Sequence, residues 1–117
     1  MEDVPKYGRF SKGTTIGKRY LDRFWHPNYF EAVKILNEAC VQTGISMTDV
    51  AFRWLAFHSK LDIDIGDAVI VGASSVNQLN SNLEALGNAK PLPQIVLKAA
   101  DKAWSVCKVE CPRYFRT

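Results

Sequence analysis

Residues Val71 to Asn82 read VGASSVNQLNSN. The apolar run Ala68-Val69-Ile70-Val71 stops at Gly72, small hydroxyl residues follow, and apolar positions then recur at helical spacing. A helix N-terminus carries unsatisfied backbone N–H groups and the positive end of the helix dipole, so it attracts anions. Gly72 and Ala73 would let a phosphate approach the main chain, and the hydroxyls of Ser74 and Ser75 would add hydrogen bonds. Gln78, Ser81 and Asn82 lie on the first turns, within reach of an attached sugar or base. The pattern lacks a P-loop lysine and the three glycines of a dinucleotide fingerprint. A Gly followed by Ser caps is also, with no ligand at all, a good strand-to-helix connection. Both readings stand on spacing alone.

The elements that would position this turn are mostly helical. Asn28 with Glu31 three residues later forms a capping-box pattern for a first helix, whose shared face is Tyr29, Val33, Leu36 and Cys40; Gly44 ends it. Ser46 with Asp49 opens a second helix. Val50, Ala51, Trp54, Leu55 and His58 fall on one side of it, while Phe52 and Phe57 widen its apolar surface to more than one face. Leu61–Asp67 reads as a loop. Ala68–Val71 is the one convincing strand, apolar on both faces as in a parallel sheet. Ser75 with Gln78 opens a third helix with Val76, Leu79, Leu83 and Leu86 inward and Gly87 closing it. Pro93 suits the first turn of a fourth helix, running to about Val106 with Val96, Ala99, Ala100 and Ala103 inward. Residues 1–25, punctuated by Gly8, Gly13 and Gly17, read as a long loop with one helical turn near Tyr20–Trp25. A single two-faced strand needs neighbours on both edges, so the reading is one piece of a larger α/β protein.

The bulk numbers agree with one folded domain at most. The chain has 117 residues, 47% hydrophobic and 23% charged, with net charge +3. No apolar stretch is long enough to cross a bilayer, and the first residues lack the apolar core of a secretory signal. Cys40, Cys107 and Cys111 match no zinc spacing and read as reduced thiols of a cytoplasmic protein. The mild positive charge suits an anionic ligand rather than nucleic acid. A helix-turn-helix outline exists around Thr43–Ile45, but the helix that would enter the groove is built of core residues with Arg53 its lone base.

Five separated stretches, GRF at 8–10, RYLDRFW at 19–25, FRWLAFHS at 52–59, DAVIVGASSVNQLNSNL at 67–83 and ECPRYFR at 110–116, together resemble the aldo-keto reductases, in particular the aflatoxin-aldehyde reductase branch and its fungal members. The resemblance implies an α/β fold: the C-terminal third of a (β/α)8 TIM barrel, an incomplete barrel that is mostly helical with one barrel strand, as a single partial domain over residues 1–117. It implies hydride transfer from NADPH to a small-molecule aldehyde or ketone, with a secondary-metabolite carbonyl as the substrate class. By resemblance Gly72, Ala73, Ser74, Ser75, Gln78, Asn80 and Asn82 hold the 2′-phosphate end of NADPH, and Arg9 also contacts the cofactor. Tyr20, Arg23 and Arg116 contact substrate. Many relatives carry Lys or Arg in the phosphate loop where Ala73 and Gln78 stand here. The family's catalytic Tyr, Asp, Lys and His have no counterpart in these motifs, so the 117 residues are expected to be truncated and inactive by themselves. The alternative is a non-catalytic helical module that associates, as a homodimer or with a partner, through uncovered apolar faces.

Overall fold

A computed structural model describes residues 4–113 of the chain. Its elements are helices α1 (Thr15–Phe24), α2 (Pro27–Thr43), α3 (Met47–Phe57), α4 (Val76–Gly87) and α5 (Gln94–Cys107), with a short 3-10 turn at Ile63–Ile65. Residues up to Ile35 together with those from Ala100 onward make one compact unit, and Leu36–Ala99 the other.

The second unit is built as its caps dictate. Gly44 adopts φ +68°, and the Ile45 N–H returns to the Cys40 carbonyl at 3.2 Å, closing α2 in a left-handed cap. The Ser46 hydroxyl oxygen accepts from the Asp49 N–H at 3.0 Å and starts α3. Ala39, Cys40, Val50, Leu92 and Val96 form the core, bordered by Leu36, Ile45, Met47, Leu97 and Ala99. Val96 is wholly enclosed, as its place on the inward face of the last helix requires. α3 lies along α4. Arg53 ties the next connection down, donating from Nε to the Lys90 carbonyl at 2.6 Å and from Nη2 to the Pro91 carbonyl at 2.7 Å.

His58, at the end of α3, holds the same connection. Its Nε2 accepts the Leu92 N–H at 2.8 Å, which leaves the proton of the neutral ring on Nδ1. This is a structural histidine. Replacing it with alanine strands a part-buried amide at a cost of about 1–3 kcal/mol. A His58→Ala chain should therefore show a lower urea midpoint than wild type.

Several sequence expectations are corrected. Ala68–Val71 was expected as a barrel strand, yet the described residues contain no strand: the segment forms no ladder and leaves Ile70 97% exposed. The described residues form helices only, and the barrel strand itself stays unconfirmed. The physical reason is the one that made the strand suspicious, since its N–H and C=O groups have no neighbouring strand here to pair with. The inward face expected for α4 is likewise open, with Val76 and Leu83 exposed, and Phe57 of α3 is half exposed. Pro93 sits just before α5, its carbonyl accepting from Val96 and Leu97. Asn88 rather than Gly87 caps α4.

In the first unit the expected long loop contains α1, a full ten-residue helix. The Thr14 hydroxyl oxygen accepts from the Gly17 N–H at 2.9 Å, the cap that glycine-based punctuation had hidden. α2 begins at Pro27, one residue before the expected cap. The His26 carbonyl accepts from Tyr29 and Phe30, and Pro27 fills the first helical position, where no N–H is needed. The interior is aromatic. Phe10 meets the Tyr20 ring edge-on at 5.8 Å and the Trp25 ring at 5.3 Å, and Trp25 meets Phe30 edge-on at 4.9 Å.

Candidate functional site

The α4 N-terminus has the geometry expected of a capped turn, with a detail the sequence did not show. The Ser75 hydroxyl oxygen accepts from the Gln78 N–H at 3.1 Å. Gln78 reaches back: its Oε1 accepts from the Ser74 N–H at 2.7 Å and from the Ser74 hydroxyl at 3.0 Å. Asn82 Nδ2 donates to the Gly72 carbonyl at 3.3 Å. Four side chains expected to face a ligand, those of Ser74, Ser75, Gln78 and Asn82, also bond within the turn and preorganise it. The N–H groups of Ser75, Val76 and Asn77 keep no acceptor among the described residues. The space over Gly72 is open, because a Cβ placed there meets nothing within 4 Å. Ala73 and Asn80 are exposed on the same stretch. No cation lies within residues 72–82. Such a turn offers neutral donors and the positive end of the helix dipole, with no cation beside them.

The first unit holds a second feature. Arg9, Tyr20 and Arg23 line one recess of about 1280 Å³. The Arg9 guanidinium carbon lies 6.0 Å from the centroid of the Tyr20 ring, and that of Arg23 5.6 Å from the Phe24 ring. The resemblance assigned Arg9 to cofactor and the other two to substrate; in the structure all three line the same recess. Sequence reasoning missed Arg19 and Arg113, which add two more guanidinium groups there, against the carboxylates of Asp22 and Glu110. Arg19 had a signal, because it precedes Arg23 by one helical turn. Arg113 had none, since only the fold brings it to α1. Arg116, expected to contact substrate, lies outside the described residues.

The floor of this region is pinned from α2. Asn28 Nδ2 donates to Glu110 Oε1 at 3.2 Å, and the Tyr29 hydroxyl lies 3.4 Å from the Glu110 carbonyl and 3.5 Å from Cys111 Sγ. His26 Nε2 sits 2.8 Å from the Asp22 carbonyl, which only accepts, so the ring proton is on that nitrogen. The Tyr29 phenol is pushed up to about 12, first by its hydrogen bond to Cys111, then by burial and by the negative charge of Cys111, Cys107 and Glu110. The folded value exceeds the ordinary 10.0, so this contribution to stability is complete below pH 10 and is lost as the pH rises through about 12. A denaturant series from pH 9 to pH 12, roughly the span of ordinary and shifted phenols, should show a steeper alkaline fall for wild type than for Tyr29→Phe.

The described residues thus hold a capped helix start with free N–H donors after an extended apolar segment and, in the other unit, a cationic aromatic recess. A sequence profile of the Aldo/keto reductase family matches residues 4–105, and the chain belongs to that family. It is 42% identical over 113 residues to aflatoxin B1 aldehyde reductase member 2 of Rattus norvegicus, covering 93% of this chain and 30% of that protein. It is 40% identical over 119 residues to an aldo-keto reductase of Pseudocercospora fijiensis, covering 94% and 40%. The aldo-keto reductase pigE of Monascus ruber is 31% identical over 107 residues, covering 92% and 31%. The chain thus spans between 30% and 40% of the length of these relatives. Among the described residues no helix is long and apolar enough to cross a membrane.

Proposed function

We propose that this chain supplies the adenosine-phosphate end of the cofactor site in an NADPH-dependent carbonyl reductase, as the C-terminal third of its barrel. The observation that carries the reading is the α4 start: the N–H groups of Ser75, Val76 and Asn77 keep no acceptor among the described residues, and a Cβ on the nearby Gly72 would meet open space. The residues present fit a phosphate on this donor side. Ser74, Gln78 and Asn82 hold the turn in shape, so little ordering is left to be done on binding. NADPH, when bound, would supply the hydride for carbonyl reduction. The chain's own part is to bind and orient. Arg9 would pair with anionic cofactor groups, Tyr20 and Arg23 would border the substrate, and Arg116 would meet a substrate carboxylate. The rat relative's name specifies an aldehyde, and by that likeness the substrate class here is an aldehyde.

The family's proton donor and its partners match none of the tyrosines, lysines or histidines in the recurring motifs, so these 117 residues are expected to show no carbonyl turnover by themselves. The exposed Trp54, Phe57, Ile70 and Leu83 would be covered by the other barrel strands and helices. The same exposure favours the second reading, a helical module that uses this face to bind a partner and has no nucleotide affinity.

Calorimetric titration with 2′,5′-ADP separates the two. Binding should be detectable and should weaken roughly 5- to 10-fold in Ser75→Ala, which loosens the cap by about 1 kcal/mol. No heat at any ligand concentration, with the helical fold intact, would remove the proposal.

A further inference from the structure

Two of the three cysteines lie beside each other at the end of α5. Cys107 is the last residue of that helix, and the chain then turns back on itself: the Glu110 N–H donates to the Cys107 carbonyl at 3.0 Å and the Cys111 N–H to the Lys108 carbonyl at 3.3 Å. Cys111 lies within hydrogen-bond reach of the Cys107 side chain, and both thiols act on the same Tyr29 hydroxyl, the closeness that a disulfide requires. Both side chains are half-buried, hence reachable by a small oxidant, and both thiols are free. The Tyr29 hydroxyl fixes Cys111 Sγ from one side at 3.5 Å. Burial and the neighbouring Cys111 both hold the Cys107 thiol above its ordinary range. Cys40, by contrast, is enclosed in the core of the other unit.

We infer that Cys107 and Cys111 form a reversible dithiol–disulfide site whose oxidant is a small peroxide. One thiolate attacks a peroxide oxygen, breaking the O–O bond and giving a sulfenic acid and, for hydrogen peroxide, water. The second thiolate attacks that sulfur, forms the S–S bond and expels hydroxide, which leaves as a second water. Two thiols are oxidised by two electrons and one peroxide is reduced. The closed bridge fixes the segment that carries Pro112 and Arg113 in the recess wall. Reduction by a small dithiol restores both thiols.

The test uses the chain treated with hydrogen peroxide, alkylated and digested with trypsin. Cleavage after Lys108 parts the two cysteines, so the bridge appears as a cross-link between Ala103–Lys108 and Val109–Arg113. Reactive thiols should fall from three to one per denatured chain and return to three with dithiothreitol. Cys40→Ser should leave the cross-link unchanged. Cys107→Ser and Cys111→Ser should each abolish it and leave a sulfenic acid that dimedone traps on the remaining cysteine. Over-oxidation of both cysteines to sulfinic acid without a cross-link, or bridges chiefly to Cys40 or between chains, would overturn the inference.

Discussion

A Gly17→Ala chain should lose α1 and with it the cationic recess. Gly17 lies against the preceding loop so closely that a Cβ would enter the van der Waals shell of the Ser11 carbonyl oxygen, with the Ser11 carbonyl carbon and Thr14 Oγ1 each at 2.9 Å. The obstacle is backbone, which cannot rotate aside as a flexible side chain can. Ser11 is itself held by a hydrogen bond from its N–H to the Gly8 carbonyl at 3.2 Å, in a turn that uses a left-handed glycine at φ +90°. Overpacking of this kind costs about 3 kcal/mol, a large share of the stability of a small unit. Gly13→Ala is the internal control. Its added Cβ meets nothing within 4 Å, so the change should be neutral or stabilise by about 0.5 kcal/mol through the unfolded chain. Thermal unfolding followed by far-ultraviolet circular dichroism distinguishes the two. Equal melting of Gly17→Ala and wild type would contradict the close packing described for α1.

The second large effect concerns charge. The α4 start offers N–H donors and a dipole but no cation. Ala73 is exposed at the mouth of the turn and uses no side-chain hydrogen bond, so arginine can be placed there without dismantling the Ser74–Gln78–Asn82 lattice. A guanidinium on a phosphate adds charge-assisted hydrogen bonds worth about 1.5–3 kcal/mol. Ala73→Arg should therefore tighten 2′,5′-ADP roughly 10- to 100-fold, with the gain shrinking as salt is raised. Binding of 5′-AMP should change far less. An equal gain for both ligands would place the phosphate contact elsewhere.

The parts of the fold that rest on a few adjacent residues were legible in the sequence. Ser46 and Ser75 as caps, Gly44 as a left-handed stop and Val96 as a core position follow from local chemistry, and the structure contains each of them. Helix α1 was missed because Gly13 and Gly17 imitate loop punctuation, although Ile16, Tyr20, Leu21 and Phe24 recur at helical spacing. Gly17 is helical for a reason that sequence spacing does not encode, the approach of Ser11. Ala68–Val71 is a different case: its apolar pattern suits a strand, but a ladder needs a second backbone to pair with. At the candidate site, the sequence marks the turn but not the hydrogen bonds inside it. Gln78 and Asn82 brace the turn, while the N–H groups that keep no acceptor among the described residues belong to Ser75, Val76 and Asn77. The recess required the fold, since Arg9, Arg23 and Arg113 come from distant stretches.

The most direct measurement is amide-resolved nuclear magnetic resonance of the isotopically labelled chain titrated with 2′,5′-ADP and, separately, with 5′-AMP. If residues 72–82 hold the 2′-phosphate, the N–H signals of Ser75, Val76 and Asn77 shift with 2′,5′-ADP and shift much less with 5′-AMP. Identical responses to the two nucleotides, or shifts confined to other parts of the chain, would contradict the proposed cofactor site.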